Sequence, residues 1–377
     1  MGLRLLILLV SLVCFSSKAQ DFAIANVNLF DGEKIIENTT VVVAQGKIAS
    51  VGEKTPEGIE VIDGSGKFLM PAMTNSHVHA WGAPSLLEAA KAGVVNLLDM
   101  HGMEQFQSLL ASNNDKPNFA RYFYAGSAAT VPDGHGTQFG FEVPTLTRVD
   151  EAESFVNDRL TAGAHYIKII VEPWKATLEH EVVKAVIDAT HAKDKKAVVH
   201  ISKAKDAQQV INNGADGLVH IWWDQKVSLE TLKQLKKGKE VFIIPTVLTS
   251  HLALENIRKT SSEGSFLSNE EISEQVKLAY DAGIPILAGT DPPNANINYG
   301  TDLYKELILL SEAGIPNIDV LKSATSLPAH FFNLGKTGSI KKGYWADLIL
   351  LSDDPSVTMT AINSVHTVWK MGSVVER

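Results

Sequence analysis

The chain has a single cysteine, Cys14, and it falls within the first twenty residues. Beyond residue 19 there is no thiol. Disulfides and thiolate ligation are therefore excluded from the expected mature chain, and any metal must be held by His, carboxylate or modified Lys. Apart from Leu5 to Phe15, no apolar run approaches the roughly 20 residues that span a bilayer. No long basic run occurs and the formal net charge is -9, which argues against nucleic acid and anionic lipid as partners. There is no Gly-x-Ser-x-Gly, so no serine nucleophile elbow is indicated, and Gly335-Lys336-Thr337 lacks the upstream glycine of a phosphate loop.

What is present begins with a leader. Met1 to Arg4 carry positive charge, Leu5 to Phe15 are almost wholly apolar, and Ser17-Lys18-Ala19 puts small residues before a cut ahead of Gln20. Residues 1–19 are thus expected to be a signal peptide, and the mature protein to be periplasmic or secreted, with no membrane partner. The remaining chain is long enough to bury a large core without disulfides.

Both ends read as strands. Phe22 to Val27, Thr40 to Val43 and Lys47 to Val51 are apolar or alternating, with Gln45-Gly46 as a hairpin turn, and Ala346 to Leu351 and Ser364 to Lys370 match them at the other end. Residues 20–70 and 335–377 are expected to pair into one small β-sandwich. Between them, residues 71–334 alternate short apolar strands with amphipathic helices, the signature of parallel βαβ units. Eight candidate strands, from Ala72–Ser76 through Tyr166–Ile170 to Ile284–Ala288, fit an α/β fold with a (β/α)8 TIM barrel. A doubly wound open sheet is the alternative. It explains less well why polar residues cluster at strand C-termini.

Those polar residues define the candidate site. His77 and His79 end the first strand, two apart and therefore on one face, while Val78 points the other way. Lys168 lies in the fourth strand, His200 and His220 end the fifth and sixth, and Asp291 follows the eighth. Taken singly, each has a bland reading as a satisfied core histidine or a turn former. Convergence of all six on one barrel rim is harder to explain that way. A buried Lys168 loses its proton readily and can add carbon dioxide, giving a carbamate able to bridge two cations. The alternatives are a snorkelling lysine or one paired with an acid.

At these residues the chain resembles the amidohydrolase superfamily, over Phe22 to Val375. The resemblance rests on Gly66-Lys67-Phe68-Leu69-Met70-Pro71-Ala72-Met73-Thr74-Asn75-Ser76-His77-Val78-His79. It rests also on Gly163-Ala164-His165-Tyr166-Ile167-Lys168, Val198-Val199-His200, Gly217-Leu218-Val219-His220, Ala288-Gly289-Thr290-Asp291 and the closing Gly338 to Leu348 segment. It implies a binuclear centre of two divalent ions. His77, His79 and Asp291 would hold the more buried ion and His200 and His220 the more exposed one. Carboxylated Lys168 and a hydroxide would bridge them. Asp291 would take the proton from the attacking hydroxide and pass it to the leaving group. Zinc is the first choice for nitrogen–carboxylate ligation, with manganese, iron and cobalt compatible with the spacing.

The nearest branch in appearance is imidazolonepropionase-like and includes Xaa-Pro dipeptidases. Asp133-Gly134-His135-Gly136 resembles its substrate-contacting histidine motif, whereas His200-Ile201-Ser202-Lys203 departs from the branch's His-Ala-His-Gly. The expected substrate is a small amide of dipeptide or N-acyl amino acid type, met by His135, Tyr299 and Trp222, with Trp174, Trp223 and Lys175 on the rim. Other readings are a mononuclear deaminase, a cyclic-amide hydrolase, or an inactive metal-binding relative. Deaminases tend to carry a glutamate shortly after the fifth-strand histidine, and here Ile201, Ser202 and Lys203 follow instead. The sequence leaves assembly into a homo-oligomer open.

Overall fold

In a computed structural model, residues 20–260 and 266–377 are described, so the expected signal peptide at residues 1–19 lies outside them. The first five strands are β1 (Phe22–Phe30), β2 (Ile35–Ala44), β3 (Lys47–Val51), β4 (Glu60–Asp63) and β5 (Phe68–Pro71). Seven follow in the middle: β6 (Met73–Val78), β7 (Val94–Asp99), β8 (Arg121–Tyr124), β9 (Ile167–Ile170), β10 (Ala197–His200), β11 (Gly217–Val219) and β12 (Phe242–Ile244). The last three are β13 (Leu348–Leu351), β14 (Val365–Lys370) and β15 (Ser373–Val374).

The two ends of the chain share one eight-stranded sheet, in the order β15-β14-β13-β5-β1-β2-β3 with β4 on β1. The joint is the antiparallel pair of β5 and β13, where Leu69 faces Leu350. Phe22, Ile24, Val41, Leu69, Leu348 and Trp369 lie among its buried side chains, so apolar burial holds the distant ends together.

The middle strands are all parallel, as β6-β7-β8 and as β9-β10-β11-β12. Helices intervene, for example His180–His191 between β9 and β10 and Ala204–Asn212 between β10 and β11. A parallel bridge from Ala129 to Ile169 links the two groups. On the far side, Pro285 and Leu287 exchange backbone bonds with Ile243, and Ser76 donates to Ala288 at 2.9 Å. The segment expected as an eighth strand, Ile284–Ala288, thus forms only a bridge at Ile286 and not a full strand. Proline at 285 removes a donor, and Gly289 ends the segment.

Leu98, Tyr166, Val198, Val219, Phe242 and Leu287, from β7, β10, β11, β12 and the segments leading into β9 and through Pro285–Ala288, pack together, with Phe331 and Phe332 against them. The strands β6 and β9 are buried along their whole length. A polar side chain on such a strand has nowhere to go but into the protein.

Candidate metal centre

The end of β6 positions His77 and His79, and the chain after Pro285–Ala288 brings Asp291 to meet them. Asp291 donates its backbone N–H to the His77 carbonyl at 2.8 Å, and His79 donates to the Pro292 carbonyl at 2.8 Å. Gly289 makes that approach feasible, because a Cβ there would lie 2.7 Å from Ile244 Cγ2 and 3.0 Å from the His77 nitrogen. Asp291 (φ 57°), His220 (φ 70°) and Thr246 (φ 46°) all adopt left-handed backbone conformations. That conformation is a true outlier for a β-branched threonine, and such outliers gather where a site demands them.

His77 Nε2 lies 3.2 Å from His79 Nε2, and Asp291 Oδ1 is 3.3 Å from the first and 3.1 Å from the second. Ligand atoms of these three residues all fall within 4.8 Å of one another. One shared proton cannot satisfy two facing ring nitrogens and a carboxylate together, whereas a divalent cation suits that donor set. His79 turns its other nitrogen, Nδ1, to the His101 carbonyl at 3.3 Å. Asp99 stands behind it and accepts from the backbone of Ala80 and His101, from Gln107 and from Tyr122.

Lys168 is buried at 3% exposure and forms no salt bridge among the described residues, so neither bland alternative describes it. Burial pulls its pKa down to about 7, against the pull of Asp291 and Asp99. His77, His200 and His220 are each held well below the usual histidine value, first by burial. Neutral imidazole is the form that binds cations. Burial also pulls His79 down, but the Asp291 carboxylate beside it wins and raises it. For Asp291, burial pushes upward and the bond with His79 brings it below its usual value.

The ring of His220 lies 4.9 Å from that of His77 and 4.5 Å from that of His200. All six expected ligands line one cavity of about 770 Å³. Three of them, His77, His79 and Asp291, form the tight group; Lys168, His200 and His220 complete the wall.

The expected substrate contacts divide. His135 lines the cavity, its ring 5.0 Å from that of His200 and 5.4 Å from that of Trp174. Trp222 does not line it: its side chain is 1% exposed in the core and its indole donates to Gln275 at 3.0 Å. Its neighbour Trp223 reaches the cavity instead, stacked on Phe266. Tyr299 is also outside the lining and donates its hydroxyl to the His79 carbonyl at 2.7 Å, bracing the end of β6. Lys175 stands over Trp174 at 5.7 Å rather than in the cavity.

The structure adds a residue that sequence reasoning passed over. Glu172 is buried at 2% exposure in the cavity wall, 2.9 Å from His200 Nε2, and accepts from Ser202 Oγ at 2.5 Å. Burial raises its pKa. An acid closing the apolar run Ile169-Ile170-Val171 was its signal.

A family model described as the amidohydrolase family matches residues 68–375. The chain is 25% identical to an adenine deaminase of Thermosipho africanus, over 90% of this chain but only 57% of that protein. It is 23% identical to a 5'-deoxyadenosine deaminase of Methanosarcina acetivorans, covering 84% of this chain and 80% of the relative. A solved Xaa-Pro dipeptidase with methionine in its active site shares the fold at a TM-score of 0.81, with 21% identity across 95% of this chain and 100% of that one.

Proposed function

Since the chain belongs to the amidohydrolase family, we propose that it cleaves a small amide, of dipeptide or N-acyl amino acid type, with Asp291 carrying the proton. It is a hydrolytic enzyme acting on carbon–nitrogen bonds. The observation that carries the finer reading is the convergence of His77, His79, Lys168, His200, His220 and Asp291 on one cavity. We read the parallel strands, joined through Ala129 and Pro285–Ala288, as a (β/α)8 barrel over residues 71–334. The terminal sheet would be a β-sandwich domain of residues 20–70 and 335–377.

His77, His79 and Asp291 would hold one divalent ion, and His200 and His220 a second, with Lys168 between them as its N-carboxylate. Lys168 reaches that form when its free amine adds carbon dioxide and releases a proton. Two such ions, zinc in first place, would supply Lewis acidity for activating water and polarising the scissile carbonyl. The Asp291 carboxylate takes the proton lost by the attacking water. It then delivers the proton to the amide nitrogen as the carbon–nitrogen bond breaks, so one water yields one acid and one amine. His135 would hydrogen-bond the substrate, while Trp174, Trp223 and Phe139 provide an apolar wall that excludes water.

A deaminase is the second reading. Both relatives named above carry that name, and Glu172, although it comes from the chain after β9 rather than after the fifth-strand histidine, sets a carboxylate beside His200. Elemental analysis of purified protein, with a screen of dipeptides, N-acyl amino acids, cyclic amides and adenine compounds, separates the two. About two ions per chain and amide cleavage are expected from a two-metal site. One ion with ammonia release from adenine compounds would install the deaminase.

A further inference from the structure

Glu172 is costly to bury. A carboxylate removed from water must recover its hydration from nearby donors, and no Lys or Arg forms a salt bridge with it among the described residues. Its backbone is pinned: Glu172 N–H donates to Thr177 Oγ1 at 2.9 Å, and its carbonyl accepts from Lys175 N–H at 3.1 Å. The preceding Val171 donates to the His200 carbonyl at 3.0 Å, extending the β9–β10 pairing one step past the strands. That step delivers the carboxylate to the side chains of His200 and Ser202.

Each carboxylate oxygen then meets a partner, and the Trp174 side chain also hydrogen-bonds the group. Oε1 accepts from the Ser202 hydroxyl at 2.5 Å, and Oε2 faces His200 Nε2 at 2.9 Å. An ionised carboxylate only accepts, and opposite one the ring hydrogen of His200 belongs on Nε2 and its lone pair on Nδ1. His220 is held the other way round, with Thr246 Oγ1 2.6 Å from its Nδ1 and Nε2 left over. The two rings, 4.5 Å apart and nearly perpendicular, are thus each held through one nitrogen and offer the other.

We propose that Glu172 is a positioning residue that fixes His200 Nδ1 as a ligand of the second metal ion, with Ser202 holding the carboxylate in place. This rests on the two-metal reading above. It also gives a physical role to the departure at Ser202, where the resembled branch carries histidine. A hydroxyl there leaves space for a carboxylate and offers it a proton.

The test uses the full mature chain as wild type, Glu172→Ala, Glu172→Gln and Ser202→Ala. Metal content is measured after purification, affinity by chelator competition, and unfolding on the chelator-stripped proteins. Wild type should hold two ions. Glu172→Ala should keep one and bind the second about 10–100-fold more weakly, the usual effect of losing such a partner. Glu172→Gln keeps an acceptor oxygen and should lose less, as should Ser202→Ala. Unfolding of the stripped proteins should change far less than metal affinity. A Glu172→Ala variant that holds both ions with unchanged affinity overturns the role, even if turnover is gone. If that variant does not fold, unchanged affinity in both Glu172→Gln and Ser202→Ala overturns it equally. A wild type holding one ion removes the two-metal reading and this role together, whereas two ions held with equal affinity in both wild type and Glu172→Ala removes this role alone.

Discussion

Lys168 carries the sharpest residue-level consequence. An amine buried on all sides without a counter-ion is either a large uncompensated cost or a group that becomes something else. If it becomes a bridging carboxylate, Lys168→Ala should remove the bridge and several kcal/mol of transition-state stabilisation, roughly a thousandfold in rate. Acetate or propionate should restore part of the turnover by standing in for the lost group. Undiminished turnover in Lys168→Ala would show that the amine has no part in the chemistry. His135 belongs to the same scale but to binding rather than assembly. It faces the cavity between His200 and Trp174. Loss of one substrate hydrogen bond should lower kcat/KM about tenfold in His135→Ala, near 1.4 kcal/mol, with metal content unchanged. An unchanged kcat/KM for every amide tested would assign His135 to the wall alone.

Among the elements, the helix Val247–Thr260 supplies Thr249, Ser250 and Ala253 to the cavity, and it is anchored by a residue far along the chain. Glu306, fully buried, accepts from the N–H groups of Val247 and Leu248 at 2.9 and 2.8 Å, capping the helix from outside. Burial pushes its pKa up to about 7. Between its ordinary value of 4.5 and about 7 the folded protein therefore holds a proton that the unfolded chain has lost. Stability should fall as pH rises through that window, and Glu306→Gln should flatten the slope. Denaturant unfolding of metal-free protein at pH 4.5, 5.5 and 7 checks this, and equal slopes in both proteins would refute it. Elements of this kind also mark the limit of what the sequence tells. His77, His79, Lys168, His200, His220 and Asp291 were legible because each polar residue interrupts or ends an apolar strand, and strand ends are where such a fold gathers function. Glu172 and Asp99 give the same signal but match no familiar motif. Trp222 and Trp223 show another limit: after a strand ends there is no period of two to say which neighbour faces in, and the bond to Gln275 decides it. The cap from Glu306 was invisible, since nothing local links it to a helix start nearly sixty positions earlier.

At the scale of the molecule, the terminal sheet and the parallel strands are tied by buried charge as well as by apolar packing. Arg121 of β8 donates to Asp347, just ahead of β13, through Nη1 at 2.5 Å and Nη2 at 3.2 Å. Asp347 also accepts from Thr337 Oγ1 and from the Met371 N–H, and its carbonyl accepts from Ala72 at the start of the middle region. Close by, the Lys370 ammonium donates to the carbonyls of Asn114, Lys116 and Phe119, ahead of β8. Both links run from the last strands of the chain to one edge of the parallel core. Breaking one side of a buried pair costs more than removing both, because the survivor is left charged and unpaired. Arg121→Met should therefore destabilise the protein by about 3–5 kcal/mol. Adding Asp347→Asn should recover part of that loss, since the neutral amide can keep its oxygen toward the Met371 N–H and turn its NH2 to the Thr337 hydroxyl, which then accepts, without a charge to hide. Calorimetry is the measure, and it should show one transition for wild type and for both variants if sheet and core unfold together. A double variant no more stable than Arg121→Met alone would mean that the ion pair matters for its shape and not its charge. Two separate transitions in wild type would mean that the ends of the chain are not coupled to the core that carries the site.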